Sequence, residues 1–207
     1  FSLGPIIAND ISPAALTALR FLLAALVMAV WTWRTCGVSR RDLESAWRYL
    51  LLGGLMGAYF VLMFEGLKTA PAVSTSAVFT LTPALSAVFG YLLLSQRVNA
   101  WVVLALSVGG VGAVWVIFRA DLDALLTFQI GRGEAIFFFG CVAHAFYTPL
   151  VRKLNRRQSP VVFTFGTIMG ALVMLLIYGA RDLVATDYSA LPPMVWVTLV
   201  YLAVFAS

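Results

Sequence analysis

The sequence has 207 residues, of which 62% are apolar and 11% charged, and its mean hydropathy is +0.95. A soluble domain carries about 25% charged residues, so this composition excludes one and indicates a polytopic membrane protein, with several apolar runs near or above the ~18 residues that suggest a spanning helix. The net charge of +5 is no nucleic-acid signal, because the basic residues sit in short loops between apolar runs and not in a patch.

In chain order, residues 1–8 read as the last turns of a first helix, and Asn9-Asp10-Ile11-Ser12-Pro13 as a turn with Ser12 at the N-cap of the next. A second span is expected over about 13–33, interrupted only by Arg20. The loop from Arg34 to Arg48 leads to a third span, about 47–67, rich in glycine at first (Gly53, Gly54, Gly57) and in aromatics later (Tyr59, Phe60, Phe64). The fourth stretch, Pro71 to Leu94, contains no acidic or basic side chain. As a continuous helix at about 1.5 Å per residue it is roughly 36 Å long, enough to cross a hydrocarbon core of about 30 Å. Thr75, Phe79, Thr82 and Ser86 fall on one face of such a helix. Pro83 has no N–H for the carbonyl of Phe79, so an acceptor is expected to be freed on that same face. Two readings of the stripe compete: hydroxyls as glue between helices, or the polar lining of a path through the membrane.

A fifth span follows over about 100–118, where Ala105, Gly109 and Ala113 have the small-xxx-small spacing of close helix packing. The link from Arg119 to Arg132 is partly apolar and fits a short interfacial helix. A sixth span, about 133–151, carries His144, Tyr147 and Pro149, and a seventh covers about 160–178. The apolar run near the C-terminus, ending at Ser207, reads as an eighth span, so both ends are expected to lie inside spans of a longer chain. Cys36 and Cys141 offer neither a disulfide framework nor a metal spacing.

Charge sets the orientation. Arg34, Arg40, Arg41, Arg48, Arg97, Arg152, Lys153, Arg156 and Arg157 lie on one side, against Lys68, Arg119, Arg132 and Arg181 on the other. The richer side is expected to be cytoplasmic, with Arg41 and Arg156 on it and Asp121 and Asp187 opposite. A weak internal repeat accompanies this. Ser12-Pro13 returns as Ser159-Pro160, and Thr17 and Ala24 return at the same offset as Thr164 and Ala171. An odd number of crossings separates the copies, which inverts the second, the architecture common among transporters.

At Gly66-Leu67-Lys68-Thr69-Ala70-Pro71-Ala72, Leu81-Thr82-Pro83-Ala84 and Ala87, the sequence resembles EamA-type transporters of the drug/metabolite transporter superfamily, at their fourth helix and its entry. Arg20-Phe21 and Gly109-Gly110-Val111 are similar to that family's second- and fifth-helix motifs. One departure stands out: where many members carry Leu-x-Glu-Arg, this chain has Leu94-Ser95-Gln96-Arg97, so a role needing a carboxylate there is in doubt. The resemblance implies an all-α polytopic bundle of two inverted five-helix repeats around a central substrate cavity, here truncated to about eight helices. Residues 1–118 would form the first repeat and 133–207 part of the second. It also implies a bacterial inner-membrane protein that moves small metabolites, with amino acid export prominent.

Among groups able to act on a solute, Arg20 lies deep in its span, where a charge costs about 2.5 kcal/mol or more unless it is paired or faces water. A pair between Glu65 and Arg20 or Lys68 is one reading, and capture of a charged or zwitterionic solute by Arg20 and Glu65 the other. His144 shares a face with Phe137, Gly140 and Tyr147, and an imidazole titrates near neutral pH, so it is a candidate proton carrier as well as a packing residue. Tyr59, Thr75, Phe79, Thr82, His144 and Tyr147, with Arg20 and Glu65, form the expected solute-binding set. The sequence contains no HExxH, nucleophile elbow or P-loop, so neither enzyme chemistry nor a metal or other cofactor is expected. The expected partners are a small-molecule solute, the lipid bilayer and protons, and no nucleic acid. Rings and hydroxyls with few charges suit an amino acid. Efflux of lipophilic cations, or a membrane scaffold with no transport, are the alternatives.

Overall fold

The computed structural model describes Ile7, residues 9–39, Asp42, residues 44–127 and residues 129–205. No strand occurs among them. The helices, in order, are α1 (Pro13–Thr35), α2 (Trp47–Leu67), α3 (Ala72–Phe79), α4 (Thr82–Leu94), α5 (Ala100–Ile117), α6 (Leu122–Leu126), α7 (Arg132–Leu154), α8 (Pro160–Tyr178), α9 (Ala180–Ala185) and α10 (Pro193–Phe205). Six segments are long and apolar enough to cross a bilayer, α3 and α4 together making one of them. The protein is an all-α, polytopic helical membrane protein. These six match the complete spans read from the sequence, α10 is a shorter apolar helix where an eighth, incomplete span is expected, and α6 is the short helix expected in the link after Arg119. The expected first-helix remnant, apart from Ile7, and Arg40 and Arg41 lie outside the described residues.

The stretch from Pro71 to Leu94 is not the continuous helix expected. It breaks between Phe79 and Thr82. The Thr80 N–H bonds back to Ser76 and Ala77, and that of Leu81 to Val78, so the chain tightens into i→i+3 bonding before restarting. Pro83 explains the break: it donates no N–H, and it fits without loss in the first turn of α4. At its other end α4 closes on Ser95 at φ 51°, with the Gln96 N–H returning to the Gly90 carbonyl at 3.3 Å.

Packing divides the chain into two compact units, one of residues 1–8 and 59–153, the other of residues 9–58 and 154–207. In the first, α7 lies on the second half of α2 along a seam of small residues. A Cβ on Gly66 would stand 2.7 Å from the Gly133 carbonyl oxygen, and one on Gly133 would stand 2.5 Å from that of Gly66. Further along, a Cβ on Gly140 would meet the Cβ of Leu62 at 3.2 Å. In lipid no hydrophobic drive holds helices together, so close van der Waals approach of this kind takes its place. Helix α3 packs on α5. The close contact expected at Ala105, Gly109 and Ala113 is only partly realised: Ala113 is buried, but nothing among the described residues lies within 4 Å of a Cβ on Gly109.

In the second unit α8 packs on α1, and α10 also lies against α1. The backbones of α8 and the first half of α2 touch: a Cβ on Gly53 would stand 2.1 Å from the Ala171 nitrogen, and one on Gly170 2.0 Å from the Tyr49 oxygen. Gly179, just past the end of α8, lies over Ala14 at the start of α1, so these two Ser-Pro helices run antiparallel. Both serines hold the N-cap position. Ser159 accepts a hydrogen bond from the Val162 N–H, whereas the Ser12 hydroxyl donates to the Asp182 carboxylate.

Candidate functional site

Four of the expected binding residues of the first unit, Tyr59, Phe79, His144 and Tyr147, converge where α2, α3 and α7 meet. Tyr59 is the hub. Its ring centroid lies 4.7 Å from that of His144, 6.1 Å from Phe79 and 6.0 Å from Phe137. The His144 ring lies in turn 5.9 Å from Phe79 and stacks with Tyr147 at 6.1 Å. The i, i+3, i+7 spacing of Phe137, Gly140 and His144 along α7 accounts for the convergence, and the glycine allows it, since a Cβ there would stand 3.2 Å from the Tyr59 carbonyl oxygen.

Two buried polar atoms at this place have no hydrogen-bond partner among the described residues, the His144 Nδ1 and the Thr82 hydroxyl. Thr82 starts α4 just after the break, beside the Cys141 thiol. A threonine hydroxyl is a rotor that turns readily to any nearby acceptor, whereas an imidazole nitrogen is fixed by its ring. The bare Nδ1 is therefore the stronger sign of a missing partner.

The other expected residues are placed differently. Thr75 is buried, but its hydroxyl bonds the carbonyls of Ala72 at 3.0 Å and Pro71 at 3.2 Å within its own helix. Ser86, on the same predicted stripe, donates to the Ala145 carbonyl at 3.3 Å and so ties α4 to α7. Glu65 pairs with Lys68 at 2.8 Å at the end of α2. Arg20 belongs to the second unit, where it is fully buried with its guanidinium 5.8 Å from the Phe21 ring. None of these expected residues lines the apolar groove of about 670 Å³ between α4 and α5, which Tyr91, Leu92, Gln96 and Leu106 help to form.

One polar cluster was not anticipated. In the second unit Arg48, 2% exposed, donates to the Leu154 carbonyl at 2.6 Å and to that of Ser45 at 3.3 Å. Gln158 donates to Asp42 at 2.8 Å and to the Tyr49 hydroxyl at 2.7 Å. Asp42 also accepts from the backbone and hydroxyl of Ser39. Those bonds, the Gln158 amide first, hold its carboxyl below the usual carboxylate value, with the Arg48 charge adding to them. A polar cavity of about 550 Å³ lies beside the cluster.

A polytopic helical fold whose buried polar groups include an aromatic-lined imidazole is shared by many carriers, so geometry alone leaves the family open. Residues 1–118 match the model of the EamA-like transporter family, more than half of the chain. The chain belongs to the EamA-like transporter family. It is 29% identical over 210 residues to an uncharacterized transporter of Bacillus subtilis (strain 168), YyaM, an alignment that spans all of this chain and 68% of that protein. A solved crystal structure shares the fold with a TM-score of 0.64 at 23% identity, covering 98% of this chain and 68% of its own. As an EamA-like transporter the chain is a multi-pass membrane protein, and the family name denotes transport of a solute, not a reaction upon it.

Proposed function

We propose that this transporter exports small metabolites, amino acids foremost, across a bacterial inner membrane by alternating access. The observation that carries this reading is the cluster of Tyr59, Phe79, Phe137 and Tyr147 around an imidazole whose Nδ1 has no partner among the described residues. Rings accept the apolar part of a solute, and a fixed, unpartnered nitrogen and the Thr82 hydroxyl stand ready for one polar group. Glu65 remains a candidate for the solute's ammonium end, and Arg20 is proposed separately, as a solute-contacting residue of the second unit. No cofactor enters the cycle, and the solute leaves as it arrived. His144 is the natural carrier if the cycle is coupled to protons.

The two inverted repeats are assigned to residues 1–118 and 133–207, supported by the antiparallel course of the two Ser-Pro helices, α1 and α8. Orientation rests on the excess of basic residues, which puts Arg156 in the cytoplasm and Asp121 and Asp187 outside. Cysteines placed at 121 and 156 and labelled from outside intact cells test this, and labelling at 156 alone overturns it.

The deciding measurement of function is uptake of labelled amino acids and lipophilic cations by proteoliposomes. Amino acid transport that falls in Thr82→Leu, with the variant still inserted, is the expected result. Transport of cations alone, with no amino acid moved or competing, replaces the reading with multidrug efflux. No transport of any solute favours a scaffold.

A further inference from the structure

A second buried acceptor lies at the start of α7, outside the ring cluster. Glu134 is 4% exposed, and no hydrogen bond or ion pair reaches its carboxylate from any described residue. Lys68, on the chain segment that packs against this end of α7, is already held by Glu65. Asp121, which lines the same space, is committed as well: one of its oxygens accepts from the backbones of Asp123 and Ala124 to cap α6. The space itself is a cavity of about 340 Å³, lined by Phe118, Arg119, Asp121, Gln129, Gly131 and Glu134.

Why the carboxylate points there is legible in the backbone. Gly131 precedes the first turn of α7, and a Cβ at that position would stand 2.2 Å from Glu134 Oε2. Glycine thus leaves the room that the carboxylate takes. The first turn of a helix suits an acid, and neither Arg132 on its own helix nor any other described cation forms an ion pair with it. A carboxyl group that borders a cavity and has no partner among the described residues is open to a hydrogen bond from a cationic ligand.

We propose that Glu134 and this cavity bind the ammonium group of a small organic amine or amino acid. An ammonium fits better than a divalent metal, because no group of three or more metal-ligating side chains occurs among the described residues, whereas Zn2+ takes four ligands and Ca2+ or Mg2+ six or more. Gln129 supplies a second, neutral acceptor. Arg119 lines the same cavity and offers the opposite charge, which suits the carboxylate of a zwitterion. The amine half of the proposal stands independently of the amino acid reading above, and only the zwitterion rests on it.

The test is calorimetric titration of the intact protein in detergent with two probes, 3-methylbutylamine and leucine. Both are expected to bind, and Glu134→Gln is expected to weaken each roughly tenfold or more, as a lost charge-assisted hydrogen bond does. Gly131→Ala keeps the charge but displaces Oε2, so it must weaken amine binding too, and it decides the matter where Glu134→Gln fails to fold. Amine affinity unchanged in either folded variant, or no amine binding by the wild type, overturns the site. Amine bound and leucine not bound upholds the ammonium site and counts against the amino acid reading. Leucine transport without amine binding does the reverse.

Discussion

Arg48 and His144 are both buried polar side chains on helices of a membrane protein, yet their surroundings differ. Arg48 donates to two backbone carbonyls, and the residues around it, Gln158, Asp42, Tyr49 and Ser39, pass hydrogen bonds from one to the next. His144 is ringed by aromatics and keeps a bare Nδ1. A satisfied polar network in a low-dielectric setting rigidifies what it joins, whereas an unsatisfied one costs stability unless something else binds it. The first pattern belongs to architecture, and the second is the one on which the proposed solute site rests. The second unit also holds hydroxyls with no partner among the described residues, on Thr32 and Thr198, but each is a rotor on a helix and weighs less than a fixed ring nitrogen.

The largest effect is expected where backbones touch. In Gly170→Ala or Gly53→Ala the new Cβ lands about 2 Å from backbone atoms of the facing helix, which cannot yield as a side chain could. The helices must part, and a loss above about 4 kcal/mol, enough to abolish monodisperse protein in size-exclusion chromatography, is the expected result. Gly109→Ala, with open space around it, is the control that stays folded. Equal yields from all three would refute the seam.

Next in size is the pair that sets the two clusters against each other. Arg48→Leu strips the Leu154 and Ser45 carbonyls of their donor and is expected to cost about 2–4 kcal/mol, read as a lower melting temperature in detergent. Transport should then fall only as folded protein falls. In His144→Leu a partnerless nitrogen gives way to an apolar group, so melting is expected to hold or rise while transport drops by roughly tenfold or more. A His144→Leu protein that transports normally would move the ring cluster into the packing core.

Most of the fold could be read in advance because length and hydropathy alone locate a spanning helix. The interruption at Thr80 and Leu81 was harder. Pro83 is visible in the sequence, but many transmembrane helices tolerate proline with a mere kink, and whether the chain bends or restarts depends on neighbours. Of the expected solute-binding residues, Tyr59, Phe79, His144 and Tyr147 come together, because aromatic residues at helical spacing show on both partners. Thr75 turned out to bond its own helix, which spacing cannot reveal. Arg48 was counted only as a loop charge for orientation, since nothing in its own neighbourhood announces that Leu154 and Gln158 would meet it. Glu134 escaped for a similar reason: an acid in a first helical turn reads as a cap, and only the missing counter-charge in three dimensions sets it apart.

The smallest effect sharpens the comparison from the side of pH. Asp42 lies outside the spans, and hydrogen bonds from Gln158 and Ser39 hold its folded pKa below the ordinary value. A depressed carboxylate stabilises the fold above its unfolded pKa, near 3.9, and that contribution is lost as pH falls through the lower folded value. Asp42→Asn keeps an oxygen for Gln158 but loses the charge that favours both Ser39 donors. At neutral pH it is therefore expected to melt slightly below the wild type. The gap should close steadily below about pH 4, where the wild-type carboxyl takes up its proton. Thermal melts across that range check this directly. A gap that persists unchanged into acid would mean that Asp42 contributes shape and not charge, and that the network around Arg48 owes its stability to neutral hydrogen bonds alone.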